Sequence, residues 1–274
     1  MKRIVFLSFL IVILSSNLGN AQGRLGVFVG VGTMWYAGDL QENPWPHYKT
    51  LRWTVDAGLH WQIDRRWGLQ LNYTAGEMLA SDAFAKASSQ ISRDLRFQSF
   101  IHEISLRGTF DILPNDKWKV LPYITAGVGA LNWEPKRDGV ALRPMANEGV
   151  SYLNWTLSIP TGLGVKWQIN CNWALKGEIL YHWTITDYLD DVSGDYLADS
   201  GDPDIDFFRD PGNVSPPRTT RGNPKWDDGF WDVNVGVIYF FWGCNNNRRG
   251  GLIEDCERMY KDADLDKLMQ QYGQ

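Results

Sequence analysis

His102, Glu103 and Ser105 fall within four consecutive positions. They are the side-chain types that acyl transfer uses as base, orienting group and nucleophile. Spacing decides against that use. On an extended strand His102 points to one face and Glu103 and Ser105 to the other, so the three cannot converge by themselves. The chain has no Gly-x-Ser-x-Gly elbow and no His/Cys cluster at zinc spacing. The expectation is a protein that is not an enzyme and carries no cofactor.

A second constellation is acidic. Asp187, Asp190, Asp191 and Asp195 lie within nine residues, and Asp202, Asp204 and Asp206 follow. Clustered carboxylates suit calcium, yet "DPDIDF" lacks the glycine and the distal glutamate of a calcium loop. The expectation is therefore no metal. These aspartates should serve turns through side-chain-to-backbone bonds, solvated at the foot of a surface loop. Net charge is −5, which argues against a nucleic-acid partner.

The elements that must position these residues are written in period two. Over 51–64, Leu51, Trp53, Val55, Ala57, Leu59, Trp61 and Ile63 share one face. Arg52, Thr54, Asp56, Gly58, His60, Gln62 and Asp64 share the other. The stretch 153–170 alternates in the same way, interrupted only by Thr161. Six more segments fit: 25–36, 67–76, 100–112, 121–133, 173–186 and 231–242. Several exceed the five or six residues usual in soluble proteins and match the roughly 9–11 of a tilted membrane strand.

The connections alternate in length. Short turns fall at 64–66, 113–119 and 170–172, and long links at 37–50, 77–99, 134–152 and 187–230. Outer-membrane barrels have this pattern, with short periplasmic turns and long external loops. Trp61, Trp67, Trp167, Trp173 and Trp242 flank the short turns, while Trp35, Tyr36, Trp133, Trp183 and Trp231 lie at the long-loop ends. These predict two aromatic girdles. The fold expected is an all-β, eight-stranded antiparallel transmembrane β-barrel in the cell outer membrane, contacting its lipid.

The start, "MKRIVFLSFLIVILSSNLGNAQG", has a basic n-region, a short apolar run and small residues before Gln22. It reads as a signal peptide over 1–21. The barrel then occupies 22–243, and a periplasmic tail 244–274. Within the tail Leu265, Leu268 and Met269 share a face of a short helical pattern that can dock on a partner. Cys171, Cys244 and Cys256 all fall on the periplasmic side, where disulfides form. Either Cys171 pairs with Cys244 or Cys244 pairs with Cys256, and one cysteine is left over.

Eight strands leave an interior that side chains just fill. The inward positions include Arg52, Asp56, His60, Glu103, Arg107, Lys166, Lys176, Glu178 and Asp232. Mixed signs let them pair into a structural polar core rather than a conducting pore. Two features depart from the pattern. Pro160 lies inside a strand and predicts a bulge or local break. His102 lies on the apolar face, where it is tolerable near an interface.

"FVGVGTMWYAGDL", "LPYITAGVGALNW", "TDYLDDVSGDY" and "RGNPKWDDGFWDVNVGVIYFF" together resemble the PorG-like outer-membrane barrels of the type IX secretion system of Bacteroidota. The resemblance implies a non-enzymatic role in protein secretion, anchoring or positioning a periplasmic PorK–PorN ring. The alternatives are an independent small porin or ligand-binding barrel, and a lipid-modifying barrel enzyme.

Overall fold

The structure, a computed structural model, describes residues 23–41, 46–115 and 118–241. The stretches assigned to the signal peptide and the tail, with Leu265, Leu268, Met269, Cys244 and Cys256, lie outside the described residues.

Eight strands close into one ring. They are β1 (Arg24–Ala37), β2 (Arg52–Gln62), β3 (Trp67–Ser81), β4 (Arg96–Asp111), β5 (Val120–Arg137), β7 (Trp155–Gln168), β8 (Trp173–Thr184) and β9 (Gly229–Phe240). A two-residue strand, β6 (Val140–Ala141), folds back on the end of β5 outside the ring. Each barrel strand pairs antiparallel with its chain neighbour, and β9 closes on β1 from Gly26↔Phe240 to Ala37↔Gly229. Closure removes sheet edges, the condition for a sheet to stand in hydrocarbon.

The alternation has a physical reading. Outward residues such as Val29, Val31, Leu59, Leu71, Ile104, Val128, Leu157, Leu163 and Val235 are exposed, while their inward neighbours are buried or, at several positions that are mostly glycines, half-buried. A continuous apolar belt of this kind would be an aggregation surface in water. Against lipid it is the required surface. Trp61, Trp67, Trp167 and Trp173 ring its periplasmic end, and Trp53, Phe100, Trp155 and Trp183 its external end.

Two of the aromatics assigned to the girdle are elsewhere. Tyr36 and Trp133 have inward parity and are fully buried. The strands explain this. β3, β4 and β5 run 15, 16 and 18 residues, past the girdle into the external space. There the barrel interior becomes an ordinary apolar core of Met34, Tyr36, Met78, Phe97, Trp133 and Phe230, closed from above by loop residues Leu95, Leu142, Leu189 and Val192.

Pro160 breaks the ladder without shifting it. β5 and β7 pair as far as Ala126↔Thr161 and resume at Gly129↔Ser158 in the same register. Proline has no N–H to offer β5, while its other side stays paired at Pro160↔His182. No bulge forms.

Leu163 lies near the middle of β7, between the girdle residues Trp155 and Trp167, and faces outward. Leu163→Arg should cost about 2–4 kcal/mol of folding free energy in bilayers, the depth-dependent penalty of a lipid-facing charge near the midplane. Urea titration in vesicles reads it. An unchanged midpoint would mean that this face does not meet lipid.

Candidate functional site

The membrane-level lumen is filled by one buried polar network. Lys176 Nζ lies 3.0 Å from Asp56 Oδ2 and 3.1 Å from Glu178 Oε2. Glu178 also meets Arg107 Nη2 at 3.2 Å and accepts the Tyr123 hydroxyl at 2.5 Å. Arg107 donates to Gln70 Oε1. Nearer the periplasm Lys166 Nζ pairs with Asp111 Oδ1 at 2.7 Å and reaches Gln62 Oε1 at 3.1 Å. His60 bridges Gln62 and Gln70. On the external side Glu103 Oε2 lies 2.8 Å from His182 Nδ1, and Asn234 donates to Asp232.

Packing is tight enough to dictate glycine. A Cβ at Gly164 would collide with the Tyr123 ring, which crosses over that position to reach Glu178. In a low-dielectric interior every such charge needs its partner. The spans supply them at fixed register, because strand alternation sends each second residue inward.

Arg52 is a correction to the lumen assignment. Its parity is inward, but it is the first residue of β2 and stands at the external rim, about 30% exposed. Water is available there, and its guanidinium turns to Glu77 at 3.3 Å. Parity alone would have added Asp111 and His182 to the network, since each lies at an even spacing from an assigned member of its strand. Gln62 shares the polar face of its strand with His60, but it, Gln70 and Tyr123 are neutral and carry no charge to mark them.

His102 and Glu103 separate as strand geometry requires. His102 faces outward just below the external girdle, with the Tyr73 hydroxyl 2.6 Å from Nδ1. Glu103 faces inward to His182. A carboxylate–imidazole pair is the geometry of a general base. Here it is sealed, with both residues buried and the imidazole stacked on Phe230 at 4.2 Å between ring centroids.

Over the external mouth sits a cap built by all four long loops. Three of its aspartates are not solvated, which corrects the expectation from sequence for them: Asp190 and Asp191 are buried and Asp187 is only 9% exposed, while Asp195, Asp202 and Asp204 are exposed as expected. The Tyr36 hydroxyl lies between Asp190, 2.7 Å away, and Asp228. Asp191 accepts from Asn147 at 2.6 Å and from Tyr152 at 2.7 Å. Arg221 Nη1 meets Glu148 at 3.0 Å and the Asp191 carbonyl at 2.5 Å. Arg93, held by Asp82 at 2.7 and 2.8 Å, donates to the Arg221 carbonyl. Asp39 accepts from Asn223 N at 2.6 Å.

Further along the same loop, Asp202 caps a short helix, Pro203–Arg209, and Asp206 accepts from Ser200 N. Among the described residues no group of three His, Cys, Asp or Glu is placed to hold a metal ion. On the opposite rim Cys171 is disulfide-bonded.

Burial raises the pKa of Asp190, Asp191 and Asp228, and the Asp190 carboxylate raises Asp228 further. A hydroxyl donates one proton, so a Tyr36 bridge to two carboxylates is best served when one of them is protonated. Burial pushes Asp187 up to about 7, with Asp39, Asp227 and Glu148 adding to the effect. A carboxylate raised in the fold binds its proton more tightly there than in the open loop. Its contribution is complete below the unfolded value of about 4 and is lost as pH rises, for Asp187 through about 7.

The amides of 187–228 should therefore exchange hydrogen faster at pH 8 than at pH 5, after correction for intrinsic rates. Asp187→Asn should flatten the part of that change centred near neutrality. Equal protection at both pH values would contradict the buried-acid account.

A closed ring of eight long antiparallel strands, an outward apolar belt between aromatic girdles and a charge-filled interior define an outer-membrane β-barrel. Its place is the outer membrane. The chain belongs to the family described as "Domain of unknown function (DUF6089)", whose model matches residues 2–198. No curated protein matches it.

Solved structures of similar shape include Neisserial surface protein A, 10% identical, covering 80% of this chain and 97% of that one with a TM-score of 0.44. OprG of Pseudomonas aeruginosa is 13% identical and covers 81% and 96%, with a TM-score of 0.44. Ail of Yersinia pestis is 11% identical and covers 80% and 99%, with a TM-score of 0.38. At these scores they add nothing to the argument from the chain's own geometry.

Proposed function

We propose that this barrel is a non-enzymatic component of the type IX secretion system that anchors or positions a periplasmic ring at the outer membrane. The observation that carries the structural half of this reading is the filled lumen. A barrel packed with paired side chains and capped outside offers its partners surfaces, not a conduit.

The secretion half rests on the resemblance to PorG-like barrels. Three of its sequence stretches meet in the cap: Tyr36 and Asp39 from "MWYAGDL", Asp190 and Asp191 from "TDYLDDVSGDY", and Arg221, Asn223 and Asp228 from "RGNPKWDD". Stretches far apart in the chain thus form one physical unit.

The partners are periplasmic ring proteins of the PorK/PorN kind, reached through the short turns and residues 244–274. The test is co-purification from outer membranes of the native host. Full-length protein should bring down the ring proteins, and a chain lacking 244–274 should lose most of that yield while remaining heat-modifiable on gels. Equal recovery without the tail would remove the tail from the account. Absence of ring proteins from the full-length sample would remove the anchoring reading itself.

A further inference from the structure

The outer wall above the external girdle has a step in it. β2 pairs with β3 only as far as Thr54↔Gly76, whereas β3 and β4 continue to Ser81↔Arg96, and β4 and β5 to Gln98↔Lys136. Lys49, from the β1–β2 connection, and Phe84, from the β3–β4 connection, border the step. A cavity of about 370 Å³ lies there. Its charged lining is five cations, Lys49, Arg52, Arg96, Lys136 and Arg137, against one carboxylate, Asp138. In a chain of net charge −5 that is a local concentration of positive charge, not a reflection of composition.

Height places the cavity. Trp53 and Phe100, 5.6 Å apart on the lipid-facing surface, mark the girdle. Gln98 and Arg96 lie two and four residues further along β4 with the same outward parity, about 7 and 13 Å along the strand and, at the usual barrel tilt, about 5 and 10 Å higher. That is the level of lipid headgroups, just outside the aromatic belt. Leu79 and Phe84 give the cavity an apolar side.

Four of the five cations are available; Arg137 is buried and held by Asp94 at 2.9 Å. Arg96 pairs with Asp138 at 2.8 Å, Lys136 with Glu134 at 3.7 Å and Arg52 with Glu77 at 3.3 Å, all partly exposed. Exposed pairs of this kind contribute little to stability. They exchange readily for an oxyanion that accepts from several donors at once. Lys49 Nζ lies 5.7 Å from the centre of the Phe84 ring, and among the described residues no carboxylate lies within ion-pair distance of it.

We propose that this step is a binding site for a phosphate group carried on the headgroup of an outer-leaflet lipid. The site needs only the membrane orientation and does not depend on the secretion reading. Free phosphate shares the chemistry, but the position against the bilayer and the apolar side favour the lipid-borne group.

The test uses full-length protein in phosphatidylcholine nanodiscs, titrated with phosphorylated lipid A, with enzymatically dephosphorylated lipid A and with inorganic phosphate. Phosphorylated lipid A should bind about tenfold or more tighter than the dephosphorylated form. The combined variant Lys49→Gln, Arg96→Gln, Lys136→Gln should lose that preference, on the scale expected for removing cations near a charged surface. Heat-modifiable migration establishes that the variant is folded. Undiminished preference in the folded variant, or no preference in the wild type, would overturn the site. Inorganic phosphate binding as tightly as the lipid would overturn the lipid assignment.

Discussion

Glu178→Ala should lower folding stability by about 3–5 kcal/mol, the cost of stranding a buried charge. Glu178 accepts from Arg107, Lys176 and Tyr123 at once, so its loss strands the Arg107 guanidinium in a sealed lumen and leaves Lys176 with Asp56 alone. The lumen has no bulk water to solvate them, and the rigid ring does not relax around them. Removing the cations too should be milder. With Asp56, Arg107, Lys176 and Glu178 replaced together by apolar residues of similar volume, much of the penalty should disappear, because a packed apolar core often matches a buried ion network. Urea titration in lipid vesicles, followed by tryptophan fluorescence, measures both. A single variant within about 0.5 kcal/mol of wild type, the ordinary surface range, would mean that water reaches Glu178 and that the lumen is open.

Arg221→Ala should open the cap and leave the barrel standing. Its guanidinium is the cation shared by Glu148 and the Asp191 region, and both side chains are nearly inaccessible. Its carbonyl ties in Arg93 and the β3–β4 connection. A local loss of about 3–5 kcal/mol is expected. It should be read in the external loops as protease cleavage and faster amide exchange within 185–228, while heat-modifiable migration stays. Arg221→Lys should fall between, since a single ammonium does not reproduce the planar fork that reaches both acceptors. Loss of the barrel itself would show that the cap and the membrane strands fold as one unit. No change in cleavage would show that Arg221 does not hold the loops.

The membrane part of this fold is legible because lipid enforces it. Where every second residue must be apolar, as in Leu51 to Ile63, alternation is unbroken and the strand is visible. Beyond the girdle that constraint ends. Glu77 to Ser81 and Arg96 to Ser99 carry charged or polar groups outward, so they resemble loop although they continue β3 and β4. The same change of solvent hid the direction of Trp133 and Tyr36. An aromatic at a strand end signals an interface only when its parity is outward, and theirs is inward.

The burial of Asp187, Asp190, Asp191 and Asp228 had no local signal at all. It follows from partners up to 192 residues away, as with Tyr36 and Asp228. Lumen charges were legible from parity. Their pairing was not, because Arg107 with Glu178 and Lys166 with Asp111 depend on how the ring closes.

Single-channel recording in planar bilayers tests the central claim, that this is a sealed scaffold, most directly. Purified, heat-modifiable protein should insert without producing discrete conductance steps above the bare membrane, at neutral pH and with the cap intact or opened by Arg221→Ala, because the seal lies in the Arg107–Lys176–Glu178 layer below it. Reproducible unitary steps from wild-type protein would contradict the account and return the barrel to the small porins.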